Sequence, residues 1–281
     1  MNPVALNKPG KTVLLMGNEA IARGAIEAGV DFSSSYPGSP SSEVQETLAK
    51  TSRIFGHYAQ WAVNEKVALE ACVGASFAGL RSITSMKQNG LNVASDALMT
   101  ANLSGVKGGV VLVVCDDPSG HSSTNEQDSR PYVRFGDLPL LEPSSAQEAK
   151  DMTRWAFEMS ERLRCIVVLR SVTRISHARG NVKLGDISPR NRKPYFGPME
   201  RYLSLPSTPQ HANLHNKMRQ AQEIYNKSEF NAYIGPENAK RIIVASGTGY
   251  MYAREAINRL GAEDEVGLLK IGTSYPLPAE I

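Results

Sequence analysis

One carboxylate stands out as a group that could do chemistry. The stretch Trp61–Gly79, WAVNEKVALEACVGASFAG, puts Glu65 at the mouth of an otherwise small and apolar segment. Asn64 can cap a helix there, its side-chain oxygen accepting from a free backbone N–H. Glu65 then falls in the first turn. Glu70, five residues on, points elsewhere at about 3.6 residues per turn. A helix apolar on nearly every side is expected to be buried. Two readings of Glu65 stand together: a helix-start acid favoured by the macrodipole, or a carboxylate held at the mouth of an apolar helix for a chemical purpose.

Other candidates lie in three polar loops that each follow an apolar run: Tyr36–Ser42, Met86–Asn92 and Asp116–Arg130. Beyond the carboxyl ends of parallel strands is where ligands bind in open α/β sheets. Each loop alone reads as a surface turn; three on one edge make a cleft. Asp116-Asp117 reads as an acidic turn or a cation site. His57 and His121 are the histidines nearest this edge, and each alone is as readily structural. No metal-ligand set is recognised: H-E-x-x-H and C-x-x-C are absent, as are a Walker loop and G-x-S-x-G. Ser246-Gly247-Thr248-Gly249 has two glycines at dinucleotide-loop spacing, a weak signal for a nucleotide-binding module. Cys72, Cys115 and Cys165 lie within or at the start of apolar runs and read as core thiols.

The elements that would position these groups alternate. Thr12–Met16 reads as a buried strand, Asn18–Ala28 as a helix, Val30–Tyr36 as a strand stopped by Pro37-Gly38-Ser39-Pro40, and Ser41 or Ser42 to about Lys50 as a helix. Arg53–Ala62 reads as extended. After the Glu65 helix come a strand at Arg81–Met86, a helix at Asn92–Ser104 and GVVLVVC at Gly109–Cys115, the clearest buried strand. An amphipathic helix at Ala146–Arg164 and a strand at Cys165–Arg170 complete the unit. This pattern predicts a parallel sheet with helices on both faces. Gly180–Pro209 loses periodicity and reads as a surface linker. His211–Ser228 carries a helical stripe of Leu214, Met218, Ala221 and Tyr225. Arg241–Ala245, Tyr252–Leu260 and Val266–Ile271 then form one βαβ unit. So little sheet cannot stand alone, so the chain is expected to be a truncated piece or one part of a split enzyme. The expected division is a domain at 1–180, a linker with a polar helix at 181–237, and an incomplete second α/β domain at 238–281.

The 281 residues carry a net charge of +3 with no basic run, which gives no sign of nucleic-acid binding. No signal core or run of the ~20 apolar residues that span a membrane occurs. A soluble cytoplasmic protein is expected.

Four segments carry a resemblance: GNEAIARGAIEAGVDFSSSYPGSPSSEV, NEKVALEACVGASFAG, SMKQNGLNVASDAL and VVCDDPSGHSSTNEQDSR. Together they span residues 17–130. They resemble the α subunits of the indolepyruvate-type, thiamine-diphosphate-dependent 2-oxoacid:ferredoxin oxidoreductases, in the pyrimidine-binding domain. Residues 238–281 look like the start of that family's second, transketolase-C-terminal-like domain. The resemblance implies an enzyme segment that helps to decarboxylate an arylpyruvate oxidatively to the acyl-CoA, with ferredoxin as acceptor. It implies that Glu65 hydrogen-bonds N1′ of the cofactor's aminopyrimidine, favouring the imino tautomer that takes the thiazolium C2 proton. It places Lys87, Gln88 and Asn89 along the cofactor, and Ser39, His121 and Ser122 near the substrate. Mg2+ and 4Fe-4S clusters belong to parts absent here. The implied partners are a diphosphate-binding, cluster-bearing domain or subunit, a γ/β-type subunit, ferredoxin and coenzyme A, in a dimeric assembly. Pyruvate-specific relatives have an arginine near the strand end that here reads Cys115-Asp116-Asp117. None stands there, which favours an aryl substrate. The alternative is a non-catalytic assembly or binding subunit of such a complex.

Overall fold

Apolar runs bounded by glycine, serine and proline become the strands of one dominant sheet. The computed structural model describes residues 2–281. The first half contains β1 (Thr12–Met16), α1 (Gly17–Glu27), β2 (Phe32–Ser35), α2 (Ser42–Phe55), β3 (Tyr58–Trp61), α3 (Glu65–Phe77), β4 (Ser82–Lys87), α4 (Gln88–Ser104) and β5 (Val110–Asp116). Then come α5 (Arg130–Phe135), β6 (Leu140–Leu141), α6 (Ala146–Leu163), β7 (Val167–Val172), α7 (Thr173–His177), β8 (Arg179–Lys183) and α8 (Ser207–Tyr225). The chain closes with β9 (Ala232–Ile234), β10 (Arg241–Ala245), α9 (Gly247–Leu260), β11 (Val266–Lys270) and β12 (Thr273–Tyr275). Among the described residues, no helix is long and apolar enough to cross a membrane.

The seven-stranded sheet has the order β12-β6-β7-β5-β4-β2-β3, parallel except for β12. Its central strand, β5, is buried throughout, as expected for a strand covered on both faces. Side chains alternate across it. Val111, Val113 and Cys115 join a core with α1, α2, α6 and α8, while Val110, Leu112 and Val114 join a second core with α3 and α4. The α8 stripe is as read: Leu214, Met218, Ala221 and Tyr225 are its buried residues.

The helix pair α1–α6 packs closely. A Cβ at Gly24 would collide with the Lys150 carbonyl and stand 2.9 Å from Thr153 Cβ, so only glycine fits there. A fully buried ion cluster crosses the same contact. Glu27 accepts from Arg23 Nε at 2.8 Å and Lys150 Nζ at 3.0 Å, and Gly185 N–H donates to it at 2.7 Å. Arg23 also donates to the carbonyls of Val4, Leu6 and Gly185. Buried charges persist when their remaining donors and acceptors are satisfied in this way.

Several expectations are corrected. β1 is not in the main sheet but pairs antiparallel with β8, and Leu14 is 54% exposed, because its alternation meets a helix on one side only. α2 runs on to Phe55, where Gly56 ends it in the left-handed conformation, so only Tyr58–Trp61 of the expected extended segment is strand. α4 starts at Gln88 rather than Asn92, and α9 at Gly247, which makes the expected glycine turn the first turn of a helix. α8 begins within the expected linker, at Ser207. α3 is not buried all round: Val67, Ala71 and Gly74 form an exposed stripe. The βαβ unit β10–α9–β11 gains β9, antiparallel to β11, and has its own small core. The chain then returns, as β12, to the main sheet.

Candidate cofactor site

Asn64 caps α3 as expected, its Oδ1 accepting from Val67 N–H at 2.9 Å. Glu65 is therefore the first helical residue, and it is only 8% exposed. Its carboxylate lies flat on the start of α4. A Cβ at Gly90 would stand 2.5 Å from Glu65 Oε1 and 2.6 Å from its Cγ. No salt bridge of the described residues ends on Glu65. Among the described residues this buried carboxylate has no ion-pair partner, and it occupies a slot that only glycine keeps open.

The three polar loops do converge. Gly38 packs on the Lys87 side chain, where a Cβ would meet Lys87 Cδ at 3.0 Å. Lys87 Nζ donates to the Ser122 carbonyl at 3.2 Å. Gln88 Nε2 donates to the Asn125 carbonyl at 3.2 Å, and Asn89 Nδ2 to Thr124 Oγ1 at 3.4 Å. Lys87 is the residue before α4, and Gln88, Asn89 and Gly90 form its first turn, so one helix start carries all four. Gln88 Oε1 and Asn89 Oδ1 are buried acceptors without a protein partner. The Ser39 loop is braced from below. Asn18 Nδ2 donates to the Pro40 carbonyl at 2.8 Å, and Ser41 Oγ to the Gly38 carbonyl at 2.6 Å. Ser39 is half-buried, whereas His121 and Ser122 are exposed. Ser122 is fixed by Asp117, whose Oδ2 accepts from its N–H at 2.7 Å.

Two candidates fall away. His57 sits at the opposite, amino end of β3, with Nε2 2.8 Å from the Leu48 carbonyl in α2. Burial lowers its pKa, so it is a neutral core histidine. Asp116 and Asp117 do not face a cleft; both are 1% exposed. Burial by itself would raise the Asp117 pKa, but hydrogen bonds from Ser122 and Thr173 outweigh it and hold the carboxyl below its ordinary range. Asp116 takes Ser129 N–H at 2.9 Å and Arg170 Nε at 2.7 Å.

Arg170 is what sequence reasoning missed at this strand end. It comes from β7, the parallel neighbour of β5, and its one signal was a cation at the end of an apolar run. It does not serve as a free cation: Glu142 accepts from it at 2.6 Å, and Asp128 lies 3.4 Å away. Gly90 was also missed, since a glycine at the fifth position of an expected loop carries no mark of the carboxylate above it. All three cysteines are fully buried, and burial pushes their thiols up to about 12.

A parallel α/β sheet with a helix-start carboxylate facing a glycine slot, ringed by three loops at the carboxyl edge, defines a cofactor-binding domain. The family described as pyruvate flavodoxin/ferredoxin oxidoreductase, thiamine diphosphate-binding, matches residues 23–245. The chain belongs to that family. It is 47% identical over 283 residues to indolepyruvate oxidoreductase subunit IorA of Pyrococcus abyssi, covering 98% of this chain and 44% of the relative. It is 42% identical to the IorA subunit of Archaeoglobus fulgidus, covering 46% of that protein. The 2-oxoglutarate synthase subunit KorA of Methanocaldococcus jannaschii is 27% identical over 96% of this chain. The chain thus spans less than half the length of the IorA relatives. In fold it matches the 2-oxoglutarate:ferredoxin oxidoreductase of Magnetococcus marinus, solved with 2-oxoglutarate, coenzyme A and succinyl-CoA, at a TM-score of 0.76 and 21% identity over 95% of this chain and 55% of that one.

Proposed function

We propose that this chain supplies the aminopyrimidine-facing half of a thiamine-diphosphate site. The whole enzyme, cytoplasmic in this reading, would decarboxylate an arylpyruvate such as indolepyruvate oxidatively to the acyl-CoA and pass the electrons to ferredoxin. One observation carries this reading: the buried Glu65 carboxylate lies on the Gly90 slot without an ion-pair partner of its own chain. When bound, thiamine diphosphate supplies the carbanion-stabilising ring chemistry, and the protein supplies binding and orientation. Glu65 holds a proton between its carboxylate and the ring nitrogen N1′. Lys87, Gln88 and Asn89 line the cofactor side, the last two offering buried acceptors that the protein leaves free. Ser39, His121 and Ser122 face the substrate side.

Residues 1–180 serve as the pyrimidine-binding domain, 181–237 as the linker and 238–281 as the opening of the second domain. The diphosphate, its Mg2+ and the 4Fe-4S clusters fall to other parts of the assembly. Three buried cysteines of this chain cannot furnish the four thiolates that hold such a cluster. Those parts have a surface to meet beside Glu65, where Trp61, Val63 and Val67 are exposed. The names of the IorA relatives support the aryl substrate and a multi-subunit assembly. The proposed whole is dimeric, with a γ/β-type partner. The solved relative, with coenzyme A and succinyl-CoA bound, supports coenzyme A as acyl acceptor.

The test is Glu65→Gln in the assembled enzyme, read as C2–H exchange of bound thiamine diphosphate. Loss of a positioned proton partner is expected to slow exchange by about 10²–10⁴-fold, with the denaturation midpoint kept. Exchange at the wild-type rate would end the assignment.

A further inference from the structure

The segment HANLH, His211–His215, lies outside the cofactor site. Its spacing places two imidazoles one turn apart on the same face of α8. The rings stand 4.4 Å apart between centroids, and both turn to the same oxygen. Asp137 Oδ2 lies 3.5 Å from His211 Nε2 and 3.2 Å from His215 Nε2. We propose that Asp137, His211 and His215 form a binding site for a divalent transition-metal ion of the Zn2+ class, joining the linker helix α8 to the pyrimidine-type domain. The sequence reading found no metal-ligand set, because one of the three ligands comes from a loop some 70 residues earlier and only H-x-x-x-H was visible.

The distances fit the ion. Tetrahedral Zn2+ with bonds of about 2.0–2.1 Å separates its ligand atoms by about 3.3–3.4 Å. The two Asp137–histidine distances bracket that value, and all three donor atoms lie within 4.8 Å of one another. Two imidazoles and one carboxylate suit Zn2+ and its neighbours, whereas Mg2+ and Ca2+ require oxygen ligands. Both histidines are exposed, which gives an ion a path in and leaves the fourth position to water.

The carboxylate is held as an outer shell holds a metal ligand. Tyr275 Oη donates to Asp137 Oδ1 at 2.6 Å, so Oδ2 is the oxygen left for the imidazoles. Asp137 has a left-handed backbone, with φ at 48°. Asn102, 1% exposed, donates from Nδ2 to the Gly136 carbonyl and, at 3.2 Å, to that of Asp137. Its Oδ1 has no partner.

The experiment is calorimetric titration of the 281-residue chain, freed of metal, with ZnCl2 near pH 7.5. One Zn2+ per chain is expected at micromolar affinity or tighter. His211→Gln and His215→Gln should each weaken it at least tenfold, and the double variant should abolish it. Tyr275→Phe, which leaves all three ligands in place, should weaken it by about 10–100-fold. His177→Gln should change nothing. Circular dichroism checks the fold of each variant. Both histidines are exposed, so their replacement leaves the core intact, and the Tyr275 variant keeps the test open if one histidine variant misfolds. Absence of saturable binding, or binding unchanged in the double histidine variant, overturns the proposal.

Discussion

Gly74 and Gly90 are both helical glycines, but a methyl group on each meets different surroundings. At Gly74, on the exposed stripe of α3, an added Cβ would have nothing within 4 Å. At Gly90 the same atom would sit 2.5 Å from Glu65 Oε1. Gly90→Ala must therefore displace the carboxylate or the first turn of α4. It is expected to cost the chain about 1–3 kcal/mol, as overpacking does, and to reduce turnover of the assembled enzyme to near the level of Glu65→Gln. Gly74→Ala is expected to be neutral or to stabilise the isolated chain by about 0.5–1 kcal/mol, since alanine loses less backbone freedom on entering a helix. Urea denaturation of both variants checks the pair. Equal stability of the two would show that Glu65 is not confined by Gly90.

Elements are held in place by contacts that the site residues never make. Glu27 on α1 is the centre of one such set: Arg23 of the same helix, Lys150 of α6 and the Gly185 backbone all converge on it. Removing it leaves Arg23 buried without a counter-charge and Lys150 with only the partly exposed Asp151, 2.7 Å away. Glu27→Ala is expected to destabilise by about 3–5 kcal/mol, the range for breaking a buried pair from one side. The exposed pair Arg259–Glu255 on α9 should give about 0–1 kcal/mol for the same kind of truncation. Denaturation midpoints of Glu27→Ala and Glu255→Ala compare the two. A loss under about 1 kcal/mol at Glu27 would mean that water reaches the cluster. The helix start of α4 acts at the same scale, since it carries Lys87, Gln88, Asn89 and Gly90 as one rigid turn.

At the scale of the whole molecule, the proposed function implies a choice among 2-oxoacids. Arg170, at the end of the central sheet, is taken up by Asp116, Glu142 and Asp128. Lys87 stands at the loop edge with Nζ bonded to the Ser122 carbonyl, but a lysine on its flexible stem holds any carboxylate alike. Discrimination then rests on the rest of the substrate. Burying an aromatic ring removes roughly 100 Å² of apolar surface, worth about 2.5 kcal/mol at about 25 cal/mol per Å². The complete enzyme should prefer indolepyruvate or phenylpyruvate to pyruvate by at least about tenfold in kcat/KM. Ser39→Ala should slow both alike. Assays with a viologen dye as electron acceptor measure the ratio; equal or better use of pyruvate would remove the aryl assignment and leave the cofactor reading intact.

Much of this was legible in the chain itself. The unbroken apolar run Val110–Cys115 is the central strand because only a strand covered on both faces needs apolar residues at every position. Asn64 before Glu65 marked a helix start, and the spacing of Leu214, Met218, Ala221 and Tyr225 marked the buried side of α8, since periodicity reports directly which side of an element is covered. The cysteines read as core thiols are core thiols. Periodicity does not report which element does the covering. β1 has the composition of a sheet strand, yet it pairs with β8 at the rim. Arg170 reaches Asp116 because β7 lies beside β5, Gly90 underlies Glu65 because α4 packs on α3, and Asp137 meets two histidines because α8 crosses the loop before β6. Strand order and helix packing decide these meetings. They depend on how all the apolar faces are buried at once, and no local stretch of sequence carries that information.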